Sequence, residues 1–204
     1  MGRIILGLLA SLLAVSSLPT QATTLEPPLY DLLLRSDHHP MVTIKKYPSI
    51  CWILRNRPPV DATMTFTLMD SRSIKPVLEV QLPHSIQTEQ NETCDCVNLK
   101  DYDIQLEPDI QYRWYISIVQ NPELHSRDVV FGGLIERCAE EDCQTREMPS
   151  QCDRDLVRRL AIRGFWYDSI SCLCDLIKSS PDDETLRRML DALMRQVGLT
   201  LNPN

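Results

Sequence analysis

Eight cysteines are the residues of this chain best equipped for chemistry: Cys51, Cys94, Cys96, Cys138, Cys143, Cys152, Cys172 and Cys174. Thiols can bridge, exchange with other disulfides or, as thiolates, hold a soft metal. Two spacings are Cys-x-Cys, at Cys94-Asp95-Cys96 and Cys172-Leu173-Cys174. Zinc is disfavoured, because the paired Cys-x2-Cys spacing is missing and no histidine stands close to either Cys-x-Cys. Redox catalysis is disfavoured too, since Glu89, Glu92 and Asp95 surround the first pair and negative charge raises a thiol pKa. In an oxidising compartment an even count favours structural bridges. Eight thiols allow on the order of a hundred connectivities, so the pairing stays open. Some pairings are still restricted. Cys172 and Cys174 lie two apart on a predicted helix, point to different sides and should not join each other. Cys138 and Cys143 enclose a short acidic loop and form the best local pair. Cys94 and Cys96 fall in a polar loop, which a bridge to a distant cysteine would pin.

Other candidate chemistry is sparse. His38-His39 reads as a solvated tail before a metal pair. Asn91-Glu92-Thr93 fits the glycosylation acceptor pattern and serves only as a loop marker. Neither G-x-S-x-G, nor H-E-x-x-H, nor a phosphate-cradling glycine motif occurs, and six glycines leave little room for one. The expectation is a protein without catalytic residues, cofactor or metal. The net charge of −7 argues against nucleic acid, which needs clustered Lys and Arg. Arg154, Arg158, Arg159 and Arg163 are interleaved with Asp153, Asp155 and Asp168, the pattern of a solvated helix face.

Whether the thiols meet an oxidising compartment depends on the N-terminal segment. Residues 1–22 read as a signal peptide, with Arg3 in a positive start, an apolar run from Ile4 to Val15 and a small, polar end at Thr20-Gln21-Ala22. Cleavage is expected after Ala22. The apolar run is shorter than the ~20 residues a membrane span needs, and no cysteine stands at the new N-terminus to carry a lipid. The expected product is exported, periplasmic or extracellular, without a stable membrane anchor.

The elements that must position the cysteines follow from periodicity. Residues 23–40, with Pro27, Pro28 and Pro40, form a leader segment. Residues 41–137 carry short β-branched and aromatic runs. Ile50, Trp52 and Leu54 alternate in the first clear strand; Met64, Phe66 and Leu68 oppose Thr63, Thr65 and Thr67 in the next; Leu78, Val80 and Leu82 repeat the period. A polar loop from Pro83 to about Leu99 is longer than most connections. Leu106, Pro108 and Tyr112 resemble the tyrosine corner of β-sandwiches, in which Tyr112 would bury its ring and return its hydroxyl to nearby backbone. Trp114, Ile116 and Ile118 continue inward. Val129–Arg137 is a further strand, where Gly132-Gly133 predicts a bulge or the close approach of another backbone. The expected architecture is α+β: an antiparallel, immunoglobulin-like β-sandwich, a cysteine-containing linker over 138–152, and a small three-helix domain over 153–200.

That last domain begins with Leu156, Val157, Leu160 and Ala161 at helical spacing in Asp153–Gly164. Ile170, Leu173, Leu176 and Ile177 repeat it in Asp168–Ser179, which Pro181 stops. A third helix opens at Asp182-Asp183-Glu184 and ends at Gly198. Gly164, Tyr167, Ser169 and Pro181 give the first two helices a resemblance to a single tetratricopeptide repeat of about 34 residues, although its usual Trp and Gly are replaced by Asp153 and Val157. A plain three-helix cap on the β domain is the alternative.

Several motifs together resemble the exported bacterial family known as domain of unknown function nine hundred and twenty-eight. They are Tyr47-Pro48-Ser49, the strand Phe66–Asp70, Tyr112-Arg113-Trp114-Tyr115, residues 132–137, Gly164-Phe165-Trp166-Tyr167-Asp168 and Val197-Gly198-Leu199. The resemblance covers about residues 26–200 and implies no activity, cofactor or catalytic residue; the many cysteines depart from it. The expected function is a non-catalytic exported binding or accessory module whose partner is another protein of the cell envelope. Its expected surface joins Arg113 and Tyr115 to Trp166, Tyr167 and Asp168, because aromatics beside an Arg are enriched at interfaces. The alternatives are a thiol-redox or metal-handling protein using Cys-x-Cys, and a carbohydrate-binding sandwich, which lacks a visible aromatic platform.

Overall fold

Seven strands lie among the described residues, alternating most clearly in the third and sixth and buried on both faces in the second: β1 (Met41–Thr43), β2 (Ser49–Leu54), β3 (Thr63–Asp70), β4 (Pro76–Leu82), β5 (Thr93–Asn98), β6 (Gln111–Val119) and β7 (Val129–Arg137). The computed structural model describes residues 41–54, 58–59, 61–83, 93–120, 128–139, 143 and 151–196. The signal and leader segments, His38-His39, Asn91, Glu92 and Gly198 lie outside them.

Five strands form one sheet in the order β1-β7-β6-β3-β4, and β2 pairs with β5 in a second, small sheet. The fold is α+β, as expected. One face of the large sheet carries Met64, Phe66 and Leu68 of β3 and Tyr112, Trp114, Ile116 and Ile118 of β6, all buried. Leu78, Val80 and Leu82 of β4 stand opposite Leu68, Phe66 and Met64 in register. Trp52 of β2 stacks on Phe66 with ring centroids 6.4 Å apart, and Phe66 stacks on Trp114 at 6.5 Å. These three rings tie the small sheet to the large one.

Two expectations need correction. The pairing is not wholly antiparallel: β1 runs parallel to β7, with Met41 beside Ile135 and Thr43 beside Arg137. Nor is Pro83–Leu99 a loop throughout, because Thr93–Asn98 is β5. Cysteine behaves as a small apolar side chain, so Cys94-Asp95-Cys96 alternates as a strand does, and Val97 is buried on the opposite face. The corner before β6 is as expected. The Tyr112 ring is buried, and its hydroxyl accepts the Glu107 backbone N–H at 3.1 Å.

Three helices follow among the described residues 151–196: α1 (Arg154–Ile162), α2 (Trp166–Ser179) and α3 (Glu184–Gln196). Asp153 caps α1 by accepting the Leu156 N–H at 2.6 Å. α1 ends in a Schellman turn, in which Gly164 N–H donates to Ala161 and Phe165 N–H to Leu160, at 3.0 and 2.9 Å. Gly164 has a φ of 79°, where a residue without Cβ is favoured. α2 packs against α1, α3, β1, β2 and β5. That explains why Trp166 through Cys174 is buried without interruption. Among the described residues no helix is long and apolar enough to cross a membrane.

Candidate functional site

Every cysteine is bridged: Cys51–Cys96, Cys94–Cys174, Cys138–Cys143 and Cys152–Cys172. Their Cα separations of 4.0, 5.8, 6.2 and 5.4 Å place each pair within reach of a disulfide. The local pair is the expected one, and Cys172 and Cys174 take different partners. The packing of α1 on α2 brings Cys152, just before α1, to Cys172, and strand pairing sets the other two bridges. Cys51 lies directly opposite Cys96, and Ile53 opposite Cys94, so all four share one face of the small sheet. The other face carries Trp52. α2 covers the cysteine face, and Cys94–Cys174 fastens it there. Lys178, one turn beyond Cys174, brings its Nζ to 4.0 Å from Cys96 Sγ. Sequence reasoning passed over Lys178, although its spacing of four from Cys174 puts both on one helix face.

The start of α2 holds a second constellation. Trp114 Nε1–H donates to the Tyr167 hydroxyl at 2.7 Å, and that hydroxyl donates to the Leu134 carbonyl at 3.0 Å. Burial pushes the Tyr167 phenol well above its usual range, against a smaller opposing effect of the Trp114 bond. Gly133 makes room for the pair: a Cβ there would stand 3.1 Å from Trp114 Nε1 and 3.2 Å from the Tyr167 oxygen. At Gly132 a Cβ would collide with the Trp114 carbonyl oxygen, so the strands approach closely and the register runs unbroken past both glycines. Asp168 accepts from Thr43 Oγ1 at 3.0 Å and from the Ile44 N–H at 2.9 Å. Burial raises its carboxyl, while the Ile44 bond, Lys45 and Thr43 pull it back. Nothing in the sequence pointed to Thr43 as its partner.

The surface expected to unite five residues does not form. Trp166, Tyr167 and Asp168 are buried, at 7, 2 and 1% exposure. Successive residues of β6 face opposite ways, so Trp114 meets Tyr167 while Arg113 and Tyr115 lie on the other side of the sheet. There Arg113 is exposed, Tyr115 is half-buried, and the Arg113 guanidinium donates to the Tyr115 hydroxyl at 3.4 Å. Thr67 and Gly132 flank Tyr115 in register, with Thr65 and Val130 flanking Ser117 one step along.

No curated protein matches the chain. The profile of the family described as Domain of Unknown Function (DUF928) matches residues 16–202, and the chain belongs to that family.

Proposed function

We propose that this protein is an exported, non-catalytic binding module on a reduced immunoglobulin-like sandwich, engaging a protein of the cell envelope through the outer face of its large sheet. The strand order carries the reading. β7-β6-β3-β4 follows the G-F-C-C′ order of a variable-type domain, β2 and β5 stand in the places of B and E, and Tyr112 opens β6 as the tyrosine corner opens strand F. Such sandwiches present surfaces more often than they perform reactions, although fold alone does not fix a role. The four bridges support an oxidising compartment and hence export. Of the buried groups with shifted protonation, Tyr112 closes the corner before β6 on the Glu107 N–H, and Tyr167 and Asp168 hold α2 to the strands. That favours a non-catalytic role. The helical hairpin α1–α2 then serves as a cap on the small sheet, with or without kinship to a tetratricopeptide repeat.

The test is crosslinked capture from the organism's own envelope with the mature protein and with an Arg113→Ala/Tyr115→Ala variant. A folded double variant should lose the captured protein. Equal capture by both proteins removes the outer face as the binding surface.

A further inference from the structure

We propose that Cys51, Cys96 and Cys174 form a thiol–disulfide exchange centre, which turns a reduced Cys94–Cys174 bridge into a half-exposed Cys94-x-Cys96 dithiol. The Sγ atoms of Cys51, Cys96 and Cys174 lie within 4.8 Å of one another, so two separate disulfides meet at one point. Burial divides the four sulfurs. Cys51 and Cys174 are fully buried, whereas Cys94 and Cys96 are half-buried on β5. Lys178 places its ammonium beside Cys96.

The co-reactant is a dithiol reductant. Its thiolate attacks Cys94 Sγ, the more accessible sulfur of that bridge; the Cys94–Cys174 bond breaks and Cys174 leaves as a thiolate. The reductant's second thiol displaces Cys94 as a thiol and closes the reductant's own disulfide. Two electrons have entered the protein. The Cys174 thiolate then attacks Cys51 Sγ, a Cys51–Cys174 bond forms, the Cys51–Cys96 bond breaks, and Cys96 leaves as the thiolate. This step needs no further oxidant or reductant. Lys178 makes Cys96 the better leaving group, because a thiol of lower pKa departs faster. The exchange also moves the ionisable sulfur from a buried site to one that water reaches, and burying an unpaired charge is costly. The product keeps its buried bridge and presents two neighbouring thiols on one face of β5. This chemistry is independent of any binding role of the outer sheet face.

The experiment adds stepwise dithiothreitol to the oxidised mature protein, quenches with acid, alkylates and maps the peptides. No Lys or Arg separates Cys94 from Cys96, so trypsin leaves both on one peptide. Exchange predicts that peptide alkylated twice, together with a Cys51–Cys174 crosslinked peptide. A peptide alkylated at Cys94 but still joined to Cys51 through Cys96 overturns the proposal. So does alkylation of Cys51 and Cys174 together with the first appearance of the double label. So does a Cys94 that stays unlabelled until the protein unfolds. Lys178→Met should slow formation of the Cys51–Cys174 bridge severalfold without changing the unfolding midpoint of the oxidised protein; an unchanged rate removes Lys178 from the site.

Discussion

The indole N–H of Trp114 on β6 ends on the hydroxyl of Tyr167 on α2, 2.7 Å away and wholly inside the protein. Two of the sequence motifs that carry the family resemblance, Tyr-Arg-Trp-Tyr and Trp-Tyr-Asp, therefore meet one another through Trp114 and Tyr167. Tyr167 passes the contact on to the Leu134 carbonyl of β7, and Asp168 takes up Thr43 and Ile44 at the end of β1. The first turn of α2 thus clamps three strands of the large sheet.

Removing the Tyr167 hydroxyl strands the buried Trp114 indole N–H and takes one donor from the part-buried Leu134 carbonyl. Tyr167→Phe should destabilise by about 1–3 kcal/mol. Gly133→Ala should cost a similar ~1–3 kcal/mol by overpacking the same spot. Because the new methyl would press on the very oxygen that Tyr167→Phe deletes, the two costs should fall short of adding. Urea unfolding of the two single variants and the double variant measures this. Strict additivity would mean that Gly133 does not make room for the pair.

Asp168 should give stability a recognisable pH dependence. Burial raises its carboxyl above the ordinary 3.8, so the folded protein holds that proton more tightly than the unfolded chain does. The stabilising contribution is complete below the ordinary value and is lost as pH rises through the raised one. The stability difference between wild type and Asp168→Asn should therefore shrink from pH 3 upward, measured as paired urea midpoints. A difference that grows with pH would show that the bonds from Ile44 and Thr43 outweigh burial.

Much of this architecture is legible in one sequence because period and burial are coupled locally. The inward sets of β3 and β6, the corner at Tyr112, the extents of α1 and α2 and the Cys138–Cys143 pair all follow from spacing within a few residues. β5 did not, because its cysteines stand among Thr93, Asp95 and Asn98, and the partners that hold them lie 45 and 80 positions away. β1 is three residues long and held by distant partners, Ile135 to Arg137 and Asp168, that no local pattern announces. The partner surface failed for a related reason. Tyr167 and Asp168 look like exposed interface residues until the parity of β6 shows that Trp114 faces α2.

Gly164 offers a local test of the α1–α2 turn. Its φ of 79° suits glycine, and the space around its missing Cβ is open, so only backbone strain opposes a side chain. Gly164→Ala should cost about 1–2 kcal/mol, and Gly164→Asn less, since Asn tolerates this region better. Thermal unfolding with calorimetry distinguishes the two. Equal losses would point to a contact with the glycine itself.

The four bridges should differ in worth by the length of chain each closes. In the chain-entropy account, closing the 80-residue separation of Cys94–Cys174 stabilises by about 4.5 kcal/mol, and closing the 5-residue separation of Cys138–Cys143 by about 2 kcal/mol. Cys51–Cys96 and Cys152–Cys172, at separations of 45 and 20, fall between. Cys94–Cys174 carries an added load, because it fastens α2 over the cysteine face of the small sheet, where Cys51 and Ile53 are buried. Replacing both cysteines of one pair with serine, one pair at a time, should lower the urea midpoint most for Cys94–Cys174 and least for Cys138–Cys143. If the Cys138–Cys143 variant proves the most damaged, loop closure is not what these bridges contribute, and the short ring must instead fix the chain that leads from β7 into α1.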